Sequence, residues 1–297
     1  MTELIDAVAV EEDVPAGAAP GQPRALGRAR AQRLLVTLLG DYWQTGREPL
    51  PSAGLVRVLE AFGIAPANAR ATLSRLTQRG MLVRFKHGRR TSYAPSDHTM
   101  RLLRRGGERI FALDDGEDWD GTWTLIAFSL PVDDGDLRRL LRARLRWLTF
   151  WPVYDGTWVT PHDRVDAVRE QLSELEITDA MVLRSRDVEL LPDGLARLRQ
   201  AWQLDVLADA YQTYLHRYQP LHERARTGAV APDEALVQRT ELVDDWRRLV
   251  RDDPDLPATF LPDGFPRSRA RQVFLATYAA LARPAADRFE QFVRGDG

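Results

Sequence analysis

The stretch Ala65–Pro95, "APANARATLSRLTQRGMLVRFKHGRRTSYAP", changes its period halfway along and sets seven bases against no acid. Up to Gly80 the apolar residues Ala69, Leu73 and Leu76 recur at helical spacing and Pro66 suits a first turn, so the pattern predicts a helix from Pro66 to about Arg79. That helix turns Asn68, Ala71, Ser74, Arg75 and Gln78 outward. Beyond Gly80 the period becomes that of strands: "MLVRFKH", a turn at "HGRR" around Gly88, then "RTSYAP", which together read as a hairpin.

Upstream, "RAQRLLVTLLGDYW" places Leu34, Leu35, Leu38, Leu39 and Tyr42 on one helical face, with Gly46 as the stop. "LPSAGLVRVLEAFGI" gives a second helix with Ser52 as cap, Leu55, Val58, Leu59 and Phe62 on one side, and Gly63 closing it. Three short helices followed by a hairpin make a winged helix-turn-helix, expected over residues 27–104. In such a module the third helix enters the major groove while the hairpin tip reaches backbone or minor groove, so outward bases are needed on two adjoining surfaces. Asn68, Arg70, Ser74, Arg75 and Gln78 are the candidates on the helix, and Lys86, Arg89 and Arg90 those on the wing.

Charge supports this reading. The chain carries a net charge of only -2, yet Arg24–Arg105 holds 16 bases against the four acids Asp41, Glu48, Glu60 and Asp97. A local excess of that size is the electrostatic footprint of a nucleic-acid-binding domain. The remainder of the chain is acidic. Residues 1–26, with "EEDVPAGAAPGQP" at their centre, lack an apolar period and read as a disordered acidic tail.

Residues 105–120 read as a solvated linker, since the acids of "GGERIFALDDGEDWDG" lack the spacing of a calcium loop. From there to residue 190 the order is strand "TWTLIAFSL", helix "DDGDLRRLLRARLRWL", two strands around Asp155-Gly156, helix "RVDAVREQLSEL" and strand "DAMVLRSRD". This βαββαβ order is that of a ferredoxin-like domain, 121–190. Residues 191–297 read as a helical domain in which Leu207, Tyr211, Tyr214, Leu215 and Tyr218 form one core stripe. The fold class is therefore α+β and multidomain.

Composition narrows the function. With 297 residues, 44% of them hydrophobic, the chain has material for two or three cores. It has no cysteine, which removes disulfides, thiol nucleophiles and the common zinc frameworks, and its five histidines show no i, i+4 pair. No metal or cofactor is expected. No apolar run reaches the roughly 20 residues needed to span a bilayer, and the acidic N-terminus is unlike a signal peptide, so the expected location is the cytoplasm.

Several blocks together resemble one known family. "RLLVTLLGDYW", "ARATLSRLTQRGML", "GRRTSY", "GGERIF", "WTLIAFSLP", "GTWVTP", "WQLDVLADAY" and "DWRRLVRDDPDLPATFLPDGFP" follow the order found in the PaaX-like transcriptional repressors of bacterial phenylacetate catabolism. The resemblance spans residues 28–297. It departs at Thr149 and Trp151, where the family pattern has glycines, and at the wing end, "YAPS". It implies a winged helix, a middle domain similar to a CRISPR-associated ferredoxin-fold endonuclease, and a helical C-terminal domain. It further implies a homodimer that represses a catabolic operon at an inverted-repeat operator until an acyl-CoA such as phenylacetyl-CoA releases it. Trp202, Tyr211, Tyr214 and Trp246 are the candidates to line a cavity for such an effector, with Arg247, Arg248, Arg267 and Arg269 for its phosphates.

Two other readings compete. A metal-dependent nuclease on the ferredoxin-like fold needs a carboxylate at the end of the first strand, where Ser129, Leu130 and Pro131 stand. Asp133 and Asp134 come later, at a helix start that suits acids for electrostatic reasons. The sequence is thus read as that of a non-enzyme. An architectural DNA-binding protein without a small-molecule ligand is the other alternative.

Overall fold

The computed structural model describes residues 23–43, 48–113, 119–131 and 134–295. It is a mixed α+β structure with two small sheets. The chain divides into two compact units, neither continuous in sequence. The first combines the chain up to Ala112 with Leu215–Arg247 and the part from Arg271 onward; the second combines Leu113–Tyr214 with Arg248–Ala270. Residues 191–297 are helical as expected, but they are shared between both units.

In the first unit, helix α1 (Pro23–Tyr42) precedes the two-residue strand β1 (Leu50–Pro51), helix α2 (Ser52–Ala61) and helix α3 (Pro66–Gln78). Strands β2 (Leu82–His87) and β3 (Arg90–Pro95) follow. Helix α1 starts four residues inside the segment read as a tail; residues 1–22 lie outside the described residues, as does Gly46. Leu34, Leu35 and Leu38 of α1, Leu55, Val58 and Leu59 of α2, and Ala69, Leu73 and Leu76 of α3 are all buried, so the three apolar stripes share one core. Ser52 does not cap α2: it is the first helical residue, Pro51 holds the cap position, and no side chain bonds the free amides there. Gly63 ends the helix with φ of +75°, donating to the Glu60 carbonyl, and Gly80 does the same after α3 with φ of +70°, donating to that of Thr77.

The first sheet has the order β1-β3-β2, with His87 opposite Arg90, so Gly88 and Arg89 alone form the loop. Gly88, at φ +58°, occupies the left-handed position that a two-residue hairpin demands.

The segment read as a linker is a correction. Its first half is helix α4 (Asp97–Ala112), which runs through Gly106 and Gly107; residues 114–118 lie outside the described residues. Ser96 starts this helix by accepting from the Thr99 amide at 3.2 Å. Its C-terminal turn is held by partners distant in sequence. Trp246 Nε1 donates to the Ile110 carbonyl at 3.0 Å, and Phe111 packs against Phe274 and Tyr278. Two glycines cost helix stability, and these contacts offset that cost.

Three helices complete the first unit in part: α8 (Leu204–Arg226) and α9 (Pro232–Asp252), which it shares with the second, and α10 (Arg267–Ala280), likewise shared. Helix α11 (Ala282–Arg294) belongs to it entirely. Phe289 of α11 stacks on Tyr42 with centroids 4.8 Å apart. A Cβ on Gly54 would lie 2.7 Å from Val293 Cα, so α2 and α11 touch backbone to backbone where only glycine fits. Beside that contact Arg57 donates through Nε and Nη2 to the Phe292 carbonyl, at 3.1 and 2.8 Å, and its charge suits the C-terminal end of α11. Deeper, Arg239 pairs with the buried Asp41, which also accepts from Tyr278 Oη at 2.5 Å, and the Arg239 guanidinium lies 3.8 Å above the Tyr278 ring. Burial pushes the neighbouring Tyr42 hydroxyl up to about 12.

The second unit holds strand β4 (Trp123–Phe128), helix α5 (Gly135–Trp147), strands β5 (Trp151–Tyr154) and β6 (Thr157–Thr160), helix α6 (Val165–Glu174) and strand β7 (Ala180–Ser185). Their sheet is antiparallel throughout, in the order β5-β6-β4-β7, which is the ferredoxin-like topology. Gly156 closes the β5–β6 turn at φ +75°, with its carbonyl accepting from the Phe128 amide at 2.8 Å. A Cβ there would meet the Phe128 carbonyl oxygen at 2.6 Å. One face of the sheet packs Ile126 and Trp158 against Leu141 and Leu145 of α5 and Val168 and Leu172 of α6. On the other, Trp123, Trp151 and Val159 pack against Leu198 and Trp202 of helix α7 (Pro192–Trp202), with Leu204 and Leu256. Helix α7 ends at Gln203, whose φ is +48°, and α8 starts afresh at Leu204. Among the described residues no helix is long and apolar enough to cross a membrane.

Candidate nucleic-acid interface

Helix α3 fixes the geometry of the candidate interface. Ala69, Thr72, Leu73 and Leu76 face the core, which leaves Ala67, Ala71, Ser74 and Gln78 along the centre of the exposed face at a spacing of three and four. Asn68 and Arg75 flank this row on one side and Arg70 on the other. Small side chains in the middle and longer polar ones on the flanks suit close approach to a groove floor with hydrogen-bonding groups at its walls.

Asn68, Arg70, Ser74 and Gln78 are exposed. Arg75 is half-buried and folded back along its own helix: its Nη2 donates to Thr72 Oγ1 at 3.0 Å, and that hydroxyl donates to the Asn68 carbonyl at 2.9 Å. Lys86, Arg89 and Arg90 are exposed at the far end of the hairpin, Arg89 in the loop and Arg90 at the first position of β3. Sequence reasoning passed over Arg84. It is exposed, opposite Tyr93, and stands two residues before Lys86 on β2, so both project from the same face. The period of two was the available signal. The opposite face of β2 exposes Val83 and Phe85, each at 43%.

What sets this surface apart is the lack of counter-charge. From Ala61 to Ser96 the chain has no acid. Among the described residues Arg70, Arg84, Lys86, Arg89 and Arg90 form no ion pair. Their potential is therefore directed into solvent, where polyanions are drawn to it.

Six of the eight residues considered for an effector are buried or engaged internally. Tyr211 is buried and donates to Asp253 Oδ2 at 2.6 Å; burial and then the Asp253 charge hold its hydroxyl well above the usual tyrosine range. Arg267, also buried, reaches Asp253 Oδ1 at 3.3 Å and the Leu256 carbonyl at 2.7 Å. Trp202 and Tyr214 are core residues, while Arg248 and Arg269 are exposed. Trp246 and Arg247 belong to the first unit, where Trp246 stacks on Phe274 and Arg247 pairs with Asp244 at 3.0 Å. At the end of β4, the Ser129 amide donates to the Asp179 carbonyl, and Asp134 caps α5 by accepting from the Leu137 amide at 3.0 Å; Asp133 lies outside the described residues.

Comparison with known proteins matches three consecutive family models in chain order. They are the PaaX-like protein over residues 30–99, the PaaX protein central Cas2-like domain over 116–194, and the PaaX-like protein C-terminal domain over 202–291. The transcriptional repressor PaaX of Escherichia coli (strain K12) is 28% identical over 261 residues, which cover 86% of this chain and 81% of that protein. Among solved structures, the uncharacterized protein Rv0674 from Mycobacterium tuberculosis shares the fold with a TM-score of 0.57 at 22% identity, over 87% of this chain and 99% of that one. With the N-terminal, central and C-terminal parts of one family aligned in order along it, this chain belongs to the PaaX-like family.

Proposed function

We propose that the protein is a DNA-binding transcriptional repressor whose first unit carries a winged helix-turn-helix over residues 27–104. Helix α3 enters the major groove of the operator, with Asn68, Ser74, Arg75 and Gln78 toward base edges and Arg70 on the flank. Lys86, Arg89 and Arg90 contact phosphate or minor groove from the hairpin, joined by Arg84. The observation that carries this reading is the uncompensated basic surface formed by α3 and the hairpin, within the part matched to the PaaX-like protein. The E. coli relative's designation as a transcriptional repressor supports the same reading.

Two copies bind the halves of an inverted-repeat operator in the cytoplasm and occlude a promoter of phenylacetate catabolism, and an acyl-CoA of the phenylacetyl-CoA type relieves the block. The chain acts without catalysis: Asp134, a candidate nuclease carboxylate, is occupied as a helix cap. The internal engagement of Tyr211, Arg267 and Trp246 favours a second reading of the downstream parts, as an architectural device without a small-molecule ligand.

One titration separates these readings. Purified protein is run against its own upstream intergenic DNA and a scrambled duplex at fixed salt, with and without phenylacetyl-CoA. Specific binding lost on adding the thioester supports the full proposal. Specific binding indifferent to phenylacetyl-CoA, together with no thermal shift from a panel of acyl-CoAs, selects the architectural reading. Equal affinity for both duplexes would overturn the repressor.

A further inference from the structure

Strand β7 is the outer strand of the second sheet, paired on one side with β4 in unbroken register from Ala180 to Ser185. Its other backbone edge faces no strand among the described residues. Edge strands are normally protected by a lysine, a proline, a bulge or extreme shortness. β7 has no lysine, proline or bulge over its six residues, "AMVLRS", and its one charge, Arg184, stands next to its C-terminal end. On the sheet face opposite α5 and α6 it also exposes two large apolar side chains, Met181 at 54% and Leu183 at 46%. The burial of Trp123 on β4, Trp151 on β5 and Val159 on β6 shows that this same face is covered over the other three strands, while Met181 and Leu183 of β7 stay exposed.

The charges around β7 indicate what pairs with it. Glu174, Glu176 and Asp179 precede its centre; Arg184 and Arg186 follow it, with the acids Asp187 and Glu189 only beyond the strand's end, and all seven are exposed. An antiparallel copy of the same strand lays Arg184 and Arg186 of each toward Asp179 and Glu176 of the other. A parallel copy lays like on like. Side-chain direction fixes the register as well, because residues opposite each other in an antiparallel pair share a face. A two-fold axis at Val182 sets Met181 against Leu183 of the second copy, and Leu183 against its Met181, so both exposed apolar residues are covered at once. Arg184 and Arg186 now pair with Asp163 at 2.8 Å and Asp120 at 2.5 Å, but these are solvent-exposed pairs of the kind that rearrange at little cost.

We propose that β7 pairs antiparallel with β7 of a second copy of this chain, joining two four-stranded sheets into one of eight strands. This rests on the homodimer of the proposed function and assigns it an interface; the symmetry is isologous, as closed dimers require.

The test uses the full chain without DNA. Sedimentation velocity gives a dimer, and replacing Met181 and Leu183 together by Asp weakens it at least tenfold with the thermal midpoint of the monomer retained. Because the protein has no cysteine, single Met181→Cys and Leu183→Cys chains provide a second, conservative probe. In the proposed register each cysteine lies beyond bridging distance of its own symmetry mate, since Cα atoms more than about 7 Å apart cannot be joined. Oxidised separately, the two variants stay uncrosslinked; mixed, they form a disulfide-linked dimer. A monomeric chain, or a dimer that forms no mixed disulfide, overturns the proposal. Neither result bears on DNA binding, and a crosslinked dimer with no affinity for DNA would sink the repressor while leaving this interface standing.

Discussion

Arg239 and Arg89 are the same residue in opposite surroundings. Arg239 is buried, paired with Asp41, bonded to the Tyr278 carbonyl and stacked on the Tyr278 ring. Arg89 stands in a hairpin loop in a stretch of 36 residues, 61–96, that has no acid. The first has exchanged all its solvation for protein partners and holds α1 against α9 and α10. The second retains its water and counterions, so it has something to release when a polyanion arrives. In this chain, therefore, an arginine's role follows from where the carboxylates are, and counting arginines alone would not separate scaffold from surface.

That contrast can be broken at its strongest point by Arg239→Ala. The change strands the Asp41 carboxylate in the core, and the denaturation midpoint falls by an amount equivalent to about 3–5 kcal/mol. At temperatures where the variant remains folded, its salt dependence of DNA binding equals that of the parent. An unchanged midpoint would show that Asp41 finds other support. Arg75→Ala is next in size. Discrimination between operator and scrambled DNA, measured by competition, declines by about 1–3 kcal/mol while stability stays nearly constant, since within the protein the change removes just the bond to Thr72. Preserved discrimination would remove α3 from the groove.

Arg89→Ala and Arg90→Ala sharpen the comparison from the other side. Each lowers affinity for all sequences alike and reduces the slope of log affinity against log salt by about 0.9 for each phosphate that is no longer neutralised. A decline confined to the specific operator would instead make the hairpin a base reader. Arg142→Ala is the control. Its ion pair with Asp155, at 3.3 Å, is exposed on both sides, and neither the melting curve nor the salt slope moves.

Much of this was legible in the sequence where the signals are local. The α3 stripe, the Gly88 turn, the βαββαβ order and the core stripe of Leu207, Tyr211, Tyr214, Leu215 and Tyr218 all depend on period and turn chemistry within a few residues. The misses depend on distance. Gly106 and Gly107 look like a linker until Trp246, Phe274 and Tyr278 are brought against Ile110 and Phe111. β1 is two residues long, one of them proline, and exists because Tyr93 and Ser92 lie opposite it. The kink at Gln203 breaks a stretch whose hydrophobic period continues through it. The base-bearing surface was visible as composition, but the tethering of Arg75 to Thr72 was not, because it follows from a rotamer and not from a spacing.

The close approach of Gly54 to Val293 also bears on how the protein is made. Arg57 and its acceptor Phe292 are 235 residues apart in the chain, so the ribosome delivers the two halves of that contact well separated in time. Contacts of such high sequence separation close late and slowly. Until α11 has emerged, α2 has nothing to seat its bare glycine against and Tyr42 has no Phe289 to stack on. The first unit thus has its N-terminal helices among the first segments synthesised, while the contacts that seat α2 and Tyr42 against α11 are among the last to close.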